Sequence, residues 1–140
     1  MLVTVVGERI TTMSHTSDEI AVAMKVAQYT RDHNGGTFWI VEGGDPWTIT
    51  CDIMEGRGYS VAMYPEDEYI VPLVTFSVAD VLTYFDKVGF TEIGTWVHDG
   101  KVYFDHIEIF NRLEDAMKYA KMMKQIAIFD LANMVEIEVK

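Results

Sequence analysis

Four histidines, a single cysteine and an arginine set between two glycines are the residues of this sequence with the widest chemical reach. His98 and His106 lie beside Asp99 and Asp105, and an imidazole next to a carboxylate is the pairing that general-base catalysis uses most. A small hydrolase built on His98, Asp99 and Asp105 is therefore one reading. In a strand, however, consecutive side chains point to opposite faces, which sends Asp105 and His106 apart. His15 and His33 have no H-x-x-x-H or C-x-x-C companion, so the sequence supplies no metal set. It carries no cofactor motif either.

Cys51 sits in Thr48-Ile49-Thr50-Cys51-Asp52-Ile53, a run that reads as a strand, and a thiol there is expected to be buried and inert. Gly56-Arg57-Gly58 is expected at a hairpin tip, with Arg57 projecting toward an anion. Gly35-Gly36 follows a helix where a phosphate loop would precede one. There is no G-x-S-x-G elbow and no Ser/His/Asp set.

Charge narrows the field further. Twenty-two acidic residues face 11 basic ones, a formal charge of -11. Such a balance repels nucleic acid and anionic membranes and favours basic partners. The excess is larger in residues 1–70, with 11 acidic and 4 basic, than in residues 71–140, with 11 acidic and 7 basic. Lys118, Lys121 and Lys124 are the one basic cluster. The candidate binding residues are thus Glu42, Asp45, Glu55, Glu66, Asp67 and Glu68, with Asp52 beside them, whose carboxylates can imitate a phosphate backbone and occupy a basic groove, and Arg57, whose guanidinium would meet an anion. Removing them would slow association and weaken its salt dependence.

The elements that must position these residues follow from periodicity. Leu2 to Val6 reads as a strand. Thr16-Ser17-Asp18-Glu19 is a capping box, and Ile20, Met24 and Ala27 continue it as a helix ending near Asn34. Thr37 to Glu42, Trp47 to Met54 and Tyr59 to Tyr64 are separated by turn compositions and predict an antiparallel meander. Pro65 to Glu68 is an acidic turn, and Tyr69 to Phe76 is extended. Ser77-Val78-Ala79-Asp80 opens a second helix that Gly89 ends, and Glu92 to Val97 with Lys101 to Asp105 form a hairpin around Asp99-Gly100. Asn111-Arg112-Leu113-Glu114 predicts a third capping box, and Gln125 to Asp130 and Val135 to Val139 close the chain as strands. The expectation is one α+β domain over 1–140, a mostly antiparallel sheet with three helices packed on one face. Residues 17–54 and 77–107 echo each other weakly, helix then Gly-Thr-aromatic then a strand ending in Asp52 or Asp105.

Aromatic side chains, Trp39, Trp47 and Trp96 among them, fall on strands or their ends. Thr37 to Glu42 carries bulky apolar groups on both faces, so a second face needs cover, and a homo-oligomer is expected to provide it. No apolar run approaches the roughly 20 residues of a membrane span. With one cysteine and no basic leader, the chain reads as cytoplasmic.

Gly94-Thr95-Trp96, Gly100 to Asp105, Gln125 to Asp130 and Glu136-Ile137 resemble the C-terminal region of small orphan proteins of bacteriophages and prophages. The likeness covers about the last 50 residues. It implies an accessory protein acting in the host cytoplasm, one that inhibits a host defence factor by masking a basic, nucleic-acid-binding surface. An oligomeric sponge for a nucleotide-like signal, held by Arg57, Arg31 and Trp47 or Tyr59, is the alternative. The resemblance carries no site residues with it.

Overall fold

The computed structural model describes residues 3–6, 9–12, 15–44 and 48–140, the first two segments as backbone only. Strands β1 (Val3–Val6) and β2 (Arg9–Thr12) pair antiparallel as a ribbon of their own. Helix α1 (Ser17–His33) starts at Thr16, whose hydroxyl accepts from the Glu19 backbone N–H at 3.2 Å, and ends at Asn34 in the left-handed region. Polar N-caps and a left-handed C-cap are the ordinary way to satisfy helix ends, and both were legible in the residue types.

Then come β3 (Gly35–Glu42), β4 (Ile49–Ile53), β5 (Tyr59–Ala62), a 3-10 turn at Pro65–Asp67, and β6 (Tyr69–Pro72). A second 3-10 turn (Leu73–Thr75) leads to α2 (Val78–Val88), opened by the expected Ser77/Asp80 capping box and closed at Gly89. The hairpin β7 (Glu92–His98) and β8 (Lys101–Phe110), helix α3 (Leu113–Met122), and strands β9 (Ala127–Asp130) and β10 (Val135–Glu138) complete the chain. The third capping box does not form. Arg112 occupies the N-cap with no side-chain bond to the helix, its guanidinium turning to Glu114 at 2.7 Å.

Eight strands make one antiparallel sheet in the order β10-β9-β5-β8-β7-β3-β4, with β6 also on β8. The expected β3-β4-β5 meander is therefore corrected. β5 leaves β4 altogether and pairs with β8 and β9. Its crossing is held by Gly56 N–H donating to the Leu131 carbonyl and Leu131 N–H to the Gly58 carbonyl, both at 2.9 Å. Arg57 thus lies in a crossing segment instead of a hairpin tip.

Strand β8 organises the sheet. One edge pairs with β7 from Lys101 to His106, and the other takes β5 at Ile107 to Phe110 and β6 at Lys101 to Phe104. Residues 63–68, between β5 and β6, face only Asp105 and His106. The ladder on that side is broken by a bulge much larger than the usual single residue.

Alternation then sorts the faces. Val102 and Phe104 of β8 join the core under α1 and α2, and Phe110, of the same parity, packs with Ala116 and Ala120 of α3. All three helices consequently cover one face, as expected for the α+β class. Phe104 is fully buried, with the rings of Tyr84, Tyr69 and Phe76 at 5.0, 5.6 and 5.9 Å. Odd positions Tyr103, Asp105 and Ile107 face the other way. Among the described residues, β4 pairs only with β3 and β10 only with β9, so each offers an outer edge.

The internal echo has a structural outcome. Both units run helix, then hairpin, and α3 with β9 and β10 repeats the order a third time. Yet Gly36 pairs with Thr95 and Thr37 with Gly94, which places the two Gly-Thr motifs crosswise. Thr95 turns to the helix side, its hydroxyl 2.7 Å from that of Thr30, and Thr37 turns to the opposite face. The motifs share letters and not positions.

Gly35 shows where backbone geometry decides the residue. Its φ is +140°, and a Cβ there would stand 2.5 Å from the Thr95 carbonyl oxygen. Gly35→Ala should lower unfolding free energy by about 2–3 kcal/mol in urea titration, through strain at the β3–β7 crossing; an unchanged midpoint would count against this register.

Candidate functional site

The helix-free face of the sheet holds an open cleft of about 790 Å³, within the range of small-ligand and side-chain pockets. Residues from β3, β5, β7, β8, β9 and β10 line it together. Strands are about 4.8 Å apart, so β3 and β10 would stand more than 20 Å apart on a flat sheet. The sheet must curve around the cleft. Its floor pairs Gly94 with Asp105 and Trp96 with Tyr103 across the β7–β8 hairpin. Directly opposed residues share a face, so both pairs point the same way. Gly94, lacking a side chain, leaves space over Asp105. The Trp96 and Tyr103 rings lie 5.8 Å apart, and Trp96 remains 42% exposed, which leaves aromatic surface for an occupant.

Four carboxylates line the same space: Glu55, Glu68, Asp105 and Glu136. Glu55 accepts from the Tyr29 hydroxyl at 3.2 Å, and Tyr29 stacks on His33 at 3.9 Å. His33 is the only lining residue among them able to carry positive charge. Glu68 stands beside Asp105 in this lining. Burial first, and the Glu68 charge and hydrogen bond after it, push the Asp105 carboxyl up to about 6.

Behind the floor, the break between β5 and β6 brings a second set together on the helix side. His106 Nδ1 lies 2.8 Å from Asp67 Oδ2, Tyr64 stacks on the imidazole at 4.1 Å, and the Thr91 hydroxyl stands 3.4 Å from Nε2. Carboxylate, imidazole and hydroxyl stand in the order used by acyl-transfer enzymes. Glu92 and Glu108 line the same small pocket of about 280 Å³. Tyr64 donates to Glu108 at 2.7 Å, and burial holds the Glu92 carboxyl above the usual range. An oxyanion forming there would meet carboxylates where it needs donors. The arrangement locks the turn in place and is poorly made for acyl transfer.

The residues expected from sequence are dispersed. Glu55 and Glu68 reach the cleft. Glu42 is exposed at the end of β3, and Arg57 and Glu66 are exposed outside the cleft. Asp67 is engaged by His106, and Asp45 lies outside the described residues. Because β5 leaves β4 and crosses the sheet, the acidic residues between 42 and 68 fall on different parts of it.

The other sequence-derived sets also separate. Arg31 donates to the Phe76 carbonyl and lies over the Phe76 ring at 5.0 Å, Tyr59 packs in the α3 cluster, and Trp47 is outside the described residues. Among the described residues, Arg31, Arg57 and Tyr59 do not line the cleft. His98 meets Asp99 at 3.4 Å in the turn, and Asp105 stands four or more residues along, roughly 13 Å at strand spacing. Cys51 is buried as expected, and burial pushes its thiol up to about 11. Among the described residues no group of three or more His, Cys, Asp or Glu side chains is placed to hold a metal, and no helix is long and apolar enough to cross a membrane.

Trp96, Tyr103 and Glu136 were not singled out as site residues from the sequence. The available signal was parity: Tyr103 and Asp105 alternate with buried Val102 and Phe104, and the Asp-Gly turn sets Trp96 opposite Tyr103. No family model matches the chain, and no curated protein and no solved structure matches it.

Two predictions follow from this geometry. A raised Asp105 pKa favours the folded state while the carboxyl is protonated; that contribution is complete below about pH 4 and disappears as pH rises through about 6. Asp105→Asn should then exceed the parent in stability at pH 7.5 by roughly 2 kcal/mol and converge with it near pH 4, in denaturation at both pH values. Tyr84 is fully buried with a hydroxyl that has no hydrogen-bond partner. Deleting an unpaired buried hydroxyl removes its desolvation cost, so Tyr84→Phe should match or exceed the parent by up to about 1 kcal/mol, and a loss above that would reveal a partner.

Proposed function

We propose that this protein is an acidic binding protein whose curved sheet receives a basic segment of a protein partner. The carrying observation is the composition of the cleft: exposed aromatic surface beside four carboxylates, with His33 as the sole lining group able to be cationic. Carboxylates over a concave floor attract Lys and Arg at long range, and aromatic faces hold cations and their apolar stems at contact. The chain's net charge of -11 steers in the same direction. The resemblance to phage and prophage accessory proteins makes a host defence factor, met at its basic nucleic-acid-binding surface, the partner class we propose. An anionic nucleotide-like ligand is served less well, because it would meet these carboxylates without a converging arginine.

Partner capture at low and high salt, followed by photo-crosslinking from position 96, tests the reading. Crosslinks should map to a Lys/Arg-rich segment. Reversing Glu55 and Glu136 to Lys should weaken binding at least tenfold, and reversing Glu42 and Glu66, outside the cleft, less than threefold. The opposite ranking would move the binding face away from the cleft.

A further inference from the structure

The pair formed by Asp105 and Glu68 is the most specific feature of the cleft, and it sits where the sheet is interrupted. Residues 63–68 leave the β8 edge opposite Asp105 and His106 without a regular ladder, so Glu68 can bend back over Asp105. The Trp96–Tyr103 aromatic pair stands on the same floor, one residue pair further along the hairpin. Two adjacent carboxyl groups flanked by flat aromatic surface match one cation better than any other. A guanidinium offers a planar fork of N–H donors to carboxylate oxygens and stacks on aromatic rings, whereas an ammonium is a compact, strongly hydrated point charge.

We propose that the guanidinium of a partner arginine docks on Asp105 and Glu68 beside Trp96. The inference rests on the reading of the cleft as a site for a basic segment and names the group that enters it. Below about pH 6, where the Asp105 carboxyl is protonated, docking releases that proton to solvent as the guanidinium neutralises the carboxylate. Arginine recognition is then tight at neutral pH and weakens in acid.

The charges around the pair allow this assignment. From the rest of the cleft, Glu55 and Glu136 add negative charge and His33 can add positive charge. From α2, Lys87 Nζ holds the Glu68 backbone carbonyl at 3.3 Å. The buried Tyr84 hydroxyl lies in the field of Asp105, Asp67 and Glu68, and burial together with these charges raises its pKa, so it stays neutral. Two imidazoles stand close to the proposed position, His33 in the cleft lining and His98 stacked on Trp96 at 4.8 Å, and both must be separated from the pair by experiment.

The test uses acetyl-triarginine amide and the matching trilysine peptide, titrated calorimetrically into the full chain from pH 5.0 to 7.5. The arginine peptide's Kd should rise roughly tenfold per pH unit below about 6 and be flat above it, with close to one proton released at pH 5 in buffers of different ionisation enthalpy. Trilysine should bind at least fivefold more weakly at pH 7.5. Asp105→Asn should abolish the pH slope and, separately, Glu68→Gln should move its onset to lower pH, with near-ultraviolet circular dichroism confirming the fold, and His33→Gln and His98→Gln should each retain it. Binding that is independent of pH, a slope that survives Asp105→Asn, an onset that Glu68→Gln leaves unmoved, a slope lost with His33→Gln or His98→Gln, or equal affinity for the two peptides would overturn the proposal and leave the cleft reading standing. Failure of both peptides to bind at any pH would overturn the cleft reading as well.

Discussion

Two-sided pairing of one strand is the constraint on which this fold depends. Strand β8 must satisfy β7 along one edge and both β5 and β6 along the other. A strand paired on both edges cannot slip by one residue without sending every side chain to the wrong face. Val102, Phe104 and Phe110 therefore fix which side the helices take, and Tyr103, Asp105 and Ile107 are obliged to form the opposite floor. The polar floor is a consequence of the core's register.

The interruption between β5 and β6 is what converts a sheet into a site. A continuous strand would have paired through Asp105 and His106 and kept its own side chains in strict alternation. The bulge instead places Asp67 against His106 on the helix side and Glu68 against Asp105 on the open side. Consecutive residues thus serve opposite faces at the same point along β8. One pair anchors the turn, and the other holds a titratable group within the cleft.

Local elements were readable from residue types because their causes are local. Thr16, Ser77, Asn34 and Gly89 mark helix ends through hydrogen bonds within a turn, and Asp99-Gly100 sets a tight hairpin through its positive φ. The α+β class and the one-sided helix layer followed from these. Strand order did not, since the departure of β5 from β4 depends on contacts with Leu131 and β9 more than 70 residues away. Glu42, Glu55 and Glu66 are near in sequence but fall on different parts of the structure, and of these only Glu55 lines the cleft. Asp105 was noticed as a possible catalytic partner of His98, and its true neighbour, Glu68, is brought to it only by the bulge.

The outer edges of β4 and β10 give the chain's acidity a further meaning. An edge strand displays backbone donors and acceptors that invite a second molecule to extend the sheet, and on β4 α1 already takes two of them, Asp18 accepting from the Ile49 N–H at 3.3 Å and Lys25 donating to the Cys51 carbonyl at 2.8 Å. On β4, Thr50 and Asp52 are exposed, and on β10, Glu136 and Glu138 are exposed, so carboxylates stand at both borders. At neutral pH, mutual repulsion keeps two such borders from zipping together. As carboxylates are neutralised toward pH 4 that repulsion fades and the borders become adhesive. Colloidal behaviour and recognition are therefore governed by the same side-chain chemistry, and acid storage would favour end-to-end growth of the sheet over dispersed monomers.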